Sequence, residues 1–234
     1  MKTCILLSAC INPNGMSFTQ LQDSTERLHQ YLDALNYYLG KTSVPIVFVE
    51  NSGYDISGYF VKEIETGRLE VLTFDGNNYD KQKGKGFGEA LILKYAFEHS
   101  RIIRQVDYVV KITGRLIVNN IKAILFESQL FKNELIISYL CQGFLDSRVF
   151  VASTSFYRNL FLSNIDKIDD CVGYYLESLL LDCKEQADWR PFYTLLPQVE
   201  GVSGTYGTKI ESQSIFSKEY WRKLKLNWKE YLGR

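Results

Sequence analysis

The sequence predicts an α/β fold, a mostly parallel sheet flanked by helices, followed by a less regular C-terminal half. Three observations carry this expectation. Apolar runs of strand length alternate with segments of helical period through residues 1–130. The first of them, "TCILLSACI", reads as a continuous apolar run, as in a strand buried on both faces. Each of the runs ends in small or polar residues, where α/β sheets place their ligands.

The elements follow in order. "TCILLSACI" reads as the first buried strand. Ser17 and Gln20 have capping-box spacing and lead into a helix with Leu21, Leu28, Leu32, Leu35 and Leu39 on its apolar face. Gly40 is its natural stop. "VPIVFVENSG" is a second strand, a polar-apolar helix spans Tyr59 to Glu65, and "RLEVLTF" is a third strand. "GEALILKYAFEHS" is apolar almost all round and predicts a buried helix. "DYVVKITGRLIV" closes the series as a fourth strand. This order implies parallel pairing with helices on both faces. Beyond a topological change near residue 130 come "ELIISYL", "SRVFVAS", a helix around Val172 to Leu181, and the extended, Gly-rich "PQVEGVSGTYG". One domain is expected, with a first half at 1–130, a second at 131–217 and a C-terminal helix at 218–234.

Composition narrows the function classes. The 234 residues are 46% hydrophobic, and 27 cationic side chains balance 27 acidic ones. That argues against disorder and against a nucleic-acid binder, which carries a basic excess. Cys4, Cys10, Cys141, Cys171 and Cys183 form no C-x-x-C pair, and only His29 and His99 could join them. No zinc site is expected. Free thiols in apolar segments suit a reducing, cytoplasmic compartment. "MKTCILLSACINPNG" has the lysine and apolar run of a signal peptide, but Asn12 to Gly15 reads as the loop after a strand. No run reaches the ~18 apolar residues of a membrane span.

The predicted strand ends are Asn12 to Gly15, Glu50 to Asp55, Asp75 to Asn78, and Lys111 to Arg115. Before the buried helix lies "GNNYDKQKGKGFGEA", where Gly84, Gly86 and Gly88 permit close approach and Lys83 and Lys85 add charge. A glycine-rich turn entering a helix is a ready anion site, although the Walker spacing is absent. A solvated loop is the competing reading. Alternation puts Lys111, Thr113 and Arg115 on one face, opposite Val110 and Ile112. Edge-strand charges, or an ion pair with Asp107, would explain these cations without function. With the Gly-Lys loop they make a pocket for a diphosphate.

This layout resembles the GT-A-type glycosyltransferases, in particular small bacterial transferases of capsule, lipopolysaccharide or O-antigen synthesis with a K-[IL]-T-G-R strand. The resemblance covers roughly residues 1–130. "VFVENSGYD" is similar to the V-D-N-G-S-x-D segment of that family, which implies that Glu50, Asn51 and Asp55 hold the nucleoside. It further implies donor contacts from Asn12, Ser52, Lys85, Gly86, Glu89, Lys111, Thr113, Gly114 and Arg115. The family's usual D-x-D metal site is replaced by Lys111-Ile112-Thr113-Gly114-Arg115. Fixed cations can stabilise a leaving diphosphate as a metal does. No metal cofactor is therefore expected; the alternative is Mg or Mn held through Asp75, Asp80 or Glu89.

An inverting transferase needs a base for the acceptor hydroxyl. Glu177 in "GYYLESLLLD" is the first candidate, because burial would raise its basicity; a helix-surface role is equally open. Asp146 and Glu200 are the alternatives, with Arg148 beside them for acceptor binding, whereas His29 and His99 read as helix-surface residues. Lys111 and Arg115 complete the expected catalytic set. In "KEYWRKLKLNWKEYLGR", Trp221, Leu224, Trp228 and Tyr231 follow helical spacing, with Lys218, Arg222, Lys225 and Lys229 elsewhere. Such a helix suits the inner face of an anionic membrane or packs its stripe on the domain. The expected activity is sugar transfer from a nucleotide-sugar donor, a UDP-sugar foremost. Its acceptor would be a cell-surface polysaccharide or lipid-linked oligosaccharide, without nucleic acid as a partner. A non-catalytic nucleotide or sugar-phosphate module is the alternative. A Rossmann oxidoreductase is disfavoured by the absence of a G-x-G-x-x-G turn after the first strand.

Overall fold

A computed structural model describes residues 1–16, 19–192 and 195–233. The first part runs β1 (Thr3–Ala9), α1 (Ser24–Lys41), β2 (Ile46–Glu50), α2 (Val61–Glu65), β3 (Leu69–Thr73), α3 (Gly84–His99) and β4 (Tyr108–Thr113). After it come β5 (Ile117–Val118), α4 (Ile121–Leu130), β6 (Leu135–Cys141), β7 (Phe144–Ser153) and the short α5 (Thr154–Phe156). The chain continues through α6 (Leu176–Lys184), β8 (Trp189–Arg190), β9 (Val199–Val202), β10 (Lys209–Ile210) and α7 (Lys218–Leu232).

Seven strands form one mainly parallel sheet in the order β3-β2-β1-β4-β7-β6-β8. The first four pair in parallel, and the β6–β7 hairpin enters antiparallel beside β4. Strands from both halves of the sequence therefore share one sheet. A second sheet, β10-β9-β5, stands apart. Because β2 and β4 flank β1 on opposite sides, the strand order reverses there. The crevice beyond the carboxyl ends of β1 and β4 is the switch point where such sheets bind ligands.

Every residue of β1 and β2 is buried, which is why these strands read as unbroken apolar runs. On one face Leu6, Val49 and Val109 pack with Phe87, Leu93 and Phe97 of α3 and Leu179 of α6. On the other, Ile5, Leu7 and Ile112 meet Tyr31, Leu35 and Tyr38 of α1 and Ile124 of α4. Each fully buried side chain of this size contributes about 1.5–3 kcal/mol. Among the described residues, no helix is long and apolar enough to cross a membrane.

Three boundaries differ from the sequence expectation. The first helix starts at Ser24 because Asp23 caps it, accepting the Glu26 amide at 2.7 Å; the capping box on Ser17 lies outside the described residues. Its buried stripe is Arg27, Tyr31, Ala34, Leu35 and Tyr38, with Leu28, Leu32 and Leu39 on the flanks. The predicted fourth strand is two: β4 ends at Thr113, a turn carries Gly114 and Arg115, and β5 pairs with β9 instead. Finally, the stretch read as a Gly-Lys loop is already helix, since α3 begins at Gly84.

Candidate functional site

The seam between β1 and β4 leaves no room for a side chain. The Gly114 amide donates to the Ser8 carbonyl at 2.8 Å, and a Cβ at Gly114 would lie 2.7 Å from that same oxygen. Only glycine permits this approach. Beside it Lys111 is fully buried. A buried ammonium must be paired. Its Nζ lies 2.5 Å from Glu89 Oε1 and donates to the Ser147 carbonyl at 2.7 Å and to Thr113 Oγ1 at 3.3 Å. Glu89 also accepts the Ser8 hydroxyl at 2.8 Å. The partner of Lys111 is thus Glu89, and Asp107 instead accepts the Lys2 amide. Lys111 has all three donors engaged, so it acts on this region as a fixed charge.

An arch in β7 supplies the Ser147 carbonyl. Leu145 pairs with Tyr139 and Phe150 with Ile137, so residues 146–149 stand opposite Ser138 alone on β6. On the other side β4 takes up pairing only from Val149. Freed from both ladders, Ser147 turns its carbonyl to Lys111 and donates its hydroxyl to Glu177 Oε1 at 2.5 Å. Glu177 reaches this point from the first turn of α6. Burial lifts its carboxyl above the usual carboxylate range; the Ser147 bond opposes the rise and the Glu89 charge adds to it. At Glu89 burial also works upward, but Lys111 and Ser8 outweigh it and leave that carboxyl below the usual range.

Arg115 leaves the strand after the turn, so it does not continue the face shared by Lys111 and Thr113. Its Nε is buried without a hydrogen-bond partner. Burial weakens its hold on its proton, while Tyr31 strengthens that hold and Arg27 opposes it. The guanidinium lies against Gly204, where a Cβ would sit 2.5 Å from one of its nitrogens. The next residue, Thr205, accepts a hydrogen bond from Lys85 Nζ. The turn at residues 203–207 therefore touches both outer cations of the expected diphosphate site, although Lys85 stays exposed. Arg27, unforeseen from sequence, braces the β1 loop by donating to the Cys10 carbonyl at 2.7 Å. Cys10 sits among Arg27, Glu50, Lys81 and Arg115, and burial pushes its thiol up to about 11.

The N-terminus of α3 already holds an anion, the Asp170 carboxylate. Gly86 N–H points to Asp170 Oδ2 at 3.5 Å. Gly84 has φ +79°, and a Cβ there would collide with the Asp170 carboxylate. Burial raises the Asp170 carboxyl, against the pull of the Gly86 amide and Lys85. The glycines of "GKGFG" thus admit Asp170 and Tyr79 rather than an open phosphate cradle.

The loops after β1, β2 and β3 are laced together as the strand ends predicted. Glu50 is buried and accepts the amides of Ile11 at 2.8 Å and of Ser52 and Tyr54 at 2.9 Å each, together with the Ser52 hydroxyl. Ser52 Oγ in turn accepts the Asn12 amide at 3.0 Å. Asn77 bridges from β3 to the Asn12 carbonyl at 3.1 Å. Asn51 is buried with its Oδ1 unpartnered. Asp55 is exposed and closes a turn by accepting the amide and hydroxyl of Ser57.

The acceptor-side residues divide. Asp146 and Arg148 flank Ser147 on the β7 arch, joined by bonds of 2.7 Å from Arg148 Nε and a terminal nitrogen. Lys223 of α7 lies 3.7 Å from the same carboxylate. Burial opposes the Asp146 charge, but Arg148 and Lys223 prevail and hold its carboxyl below the usual range. Glu200 sits on β9 opposite Ile117 and accepts the Ser212 hydroxyl at 2.6 Å. His29 and His99 are exposed on helices, as expected.

A divalent metal does not fit the residues at the end of β4. Amine, hydroxyl and guanidinium stand where hard cations take oxygen anions. Of the alternatives, Asp80 caps a short turn at Gln82 and Glu89 is held by Lys111 and Ser8. Among the described residues, no group of three or more His, Cys, Asp or Glu is placed to hold a metal ion.

No family model matches the sequence, and no curated protein does either. Solved structures do. The inositol-1-phosphate CTP transferase from T. maritima superposes with a TM-score of 0.53 at 13% identity, over 98% of this chain and 97% of that one. The TarS 1–349 fragment from S. aureus in complex with UDP gives 0.50 at 12% identity, over 84% of this chain. This chain spans 59% of that fragment's length. At such identities the likeness shows the fold, and the fold is the GT-A-like one that the resemblance implied.

Proposed function

We propose that this protein is a glycosyltransferase. It takes a sugar from a nucleoside-diphosphate donor, a UDP-sugar foremost, to a hydroxyl of a growing cell-surface polysaccharide or lipid-linked oligosaccharide. The observation that carries this is the cluster Glu89–Lys111–Ser147–Glu177 at the switch point, buried at Lys111 and Ser147 and half-buried at the carboxyls, which are pushed apart. Opposed environments of this kind divide acid–base labour. In the proposed reaction Glu177 takes the acceptor's hydroxyl proton, and the acceptor oxygen forms a bond to the anomeric carbon. The bond from that carbon to the diphosphate breaks, and the diphosphate leaves with its electron pair. Arg115 faces the charge that develops on it, an interaction strengthened where water is excluded. Lys111, locked by three partners, adds preorganised positive potential. The loops tied by Glu50 and Ser52, with Asn12, Asn51 and Asp55, receive the nucleoside.

This transfer is proposed to be metal-independent, on the chemistry of the donor set at β4. Five free cysteines suit a reducing, cytoplasmic compartment as its location. A second reading is nucleotidyl transfer, favoured by the length match to the CTP transferase. Against it, a sugar-phosphate nucleophile arrives already ionised and gives a basic Glu177 no task.

Incubation with UDP-, GDP-, dTDP- and CMP-sugars, with nucleotide release as readout, tests the proposal. Release from one donor, accelerated by an acceptor glycan, is the expected result. Pyrophosphate release from a nucleoside triphosphate and a sugar phosphate would establish the second reading. Binding that raises the melting temperature without turnover of any donor would leave a non-catalytic module.

A further inference from the structure

Helix α7 is fixed on the domain by one face. Tyr220 accepts the Leu196 amide at 3.1 Å, Asn227 accepts the Tyr139 amide at 2.6 Å, and Lys223 approaches Asp146. Tyr231 sets its ring edge-on to Trp189 at 5.5 Å. Of the stripe expected from sequence Tyr231 is one of these anchors, whereas Trp221 lies outside the packed face. With the roll of the helix set, its free face is determined.

That face joins charge to apolar surface. Lys218, Arg222, Lys225 and Lys229 are spaced by four, three and four residues, which aligns them along one side of a helix. All four are exposed, and among the described residues none lies within ion-pair distance of a carboxylate. Glu219 and Glu230, eleven apart, share a different flank. Beside the cations Trp221 is 53% exposed and Leu232 72%, and Phe216, just before the helix, is 90% exposed. Phe216, Lys218, Trp221, Arg222 and Lys225 line a shallow groove there.

We infer that this face of α7 docks on an anionic lipid surface. A row of unpaired cations matches the negative headgroup layer, where each contributes roughly 1 kcal/mol. Phe216, Trp221 and Leu232 project on the same side and can enter the headgroup–acyl boundary, as interfacial helices do. A nucleic acid would use the cations but leave Leu232 and Phe216 exposed, and the chain as a whole carries no basic excess. The inference does not depend on the transfer reaction, since docking requires no donor.

Sedimentation of the whole chain with vesicles tests it. Binding is expected to phosphatidylcholine vesicles containing phosphatidylglycerol, not to phosphatidylcholine alone, and to weaken with salt. The double variant Arg222→Glu, Lys225→Glu should bind at least about thirtyfold more weakly, the loss from two cations alone. Phe216→Ser with Trp221→Ser should also weaken binding while keeping its salt dependence. All four substituted residues are exposed, and circular dichroism verifies that the variants fold. Equal binding to both vesicle types, absence of binding, or undiminished binding by the charge variant would overturn the inference. So would tighter binding to a single-stranded oligonucleotide that the charge variant abolishes.

Discussion

Glu89 and Glu177 reach one buried polar cluster from separate helices, and their carboxyls are pushed in opposite directions. Glu89 from α3 is held ionised by Lys111 at 2.5 Å. Glu177 from α6 has no ion-pair partner of its own; it accepts the Ser147 hydroxyl and feels the charge of Glu89 as repulsion. Burial is the main cause that makes the second carboxyl the more basic, and the Glu89 charge adds to it. That difference is what the proposed division of tasks rests on.

Replacing Glu177 with Gln should lower turnover by about 10²–10⁴-fold, the range for removal of a general base, with nucleotide affinity unchanged. The base works deprotonated, so the wild-type rate falls as pH drops through the raised Glu177 pKa. Its acidic limb should lie above the ordinary carboxylate value of about 4.3 and vanish in the Gln variant. A pH–rate profile with the same limb in both proteins would assign the base elsewhere.

Arg115→Ala should cost about 10²-fold or more in turnover, as when a charge-stabilising donor is removed. Lysine should restore little, because it lacks the planar fork that grips a diphosphate at two points. Steady-state kinetics with nucleotide titration decide this. Near-normal turnover and affinity in Arg115→Ala would remove the residue from the reaction.

Glu89→Ala leaves Lys111 buried with its charge uncompensated, which should destabilise the fold by about 3–5 kcal/mol. Converting the pair together, Glu89→Leu with Lys111→Met, should cost less than the two single changes summed. The folded-state pKa of Glu89 is depressed, so its contribution is present above the unfolded value and lost as pH falls through the folded one. Urea denaturation at neutral and acidic pH should show the wild type losing this part of its stability and Glu89→Ala having none to lose.

Turnover should persist in excess EDTA, because the proposed reaction meets the charge on the leaving diphosphate with Arg115 and Lys111. Activity abolished by EDTA and restored by Mn²⁺ or Mg²⁺ would show that a metal supplies that charge instead.

Much of the sheet was legible because β1 and β2 are buried on both faces, and a strand so placed is mostly apolar until it ends. The polar strand ends likewise announced a convergence that Glu50, Ser52, Asn12 and Asn77 now realise. Glu177 could be suspected as a carboxylate inside an apolar helix. Ser147 could not, because its role comes from an irregular arch, and one serine among strand residues leaves no periodic trace. Asp170 was equally hidden: it reaches the α3 N-terminus across more than eighty positions, and the glycines that admit it read as a phosphate loop. Arg27 carried a signal that was missed. It is a charge four residues before Tyr31 and eight before Leu35, at the start of the buried stripe.

The Ser147–Lys111 bond belongs to the main chain. Any of the twenty amino acids at position 147 still presents that carbonyl, so a scan of side chains would register the loss of the Glu177 contact alone. Lys111 would keep its anchor through every such change. Only alterations of the peptide itself, an ester in place of the following amide or one residue more or fewer in the arch, would reach it. One of the bonds that orders this cluster is therefore written in the length of a strand rather than in the identity of any residue on it.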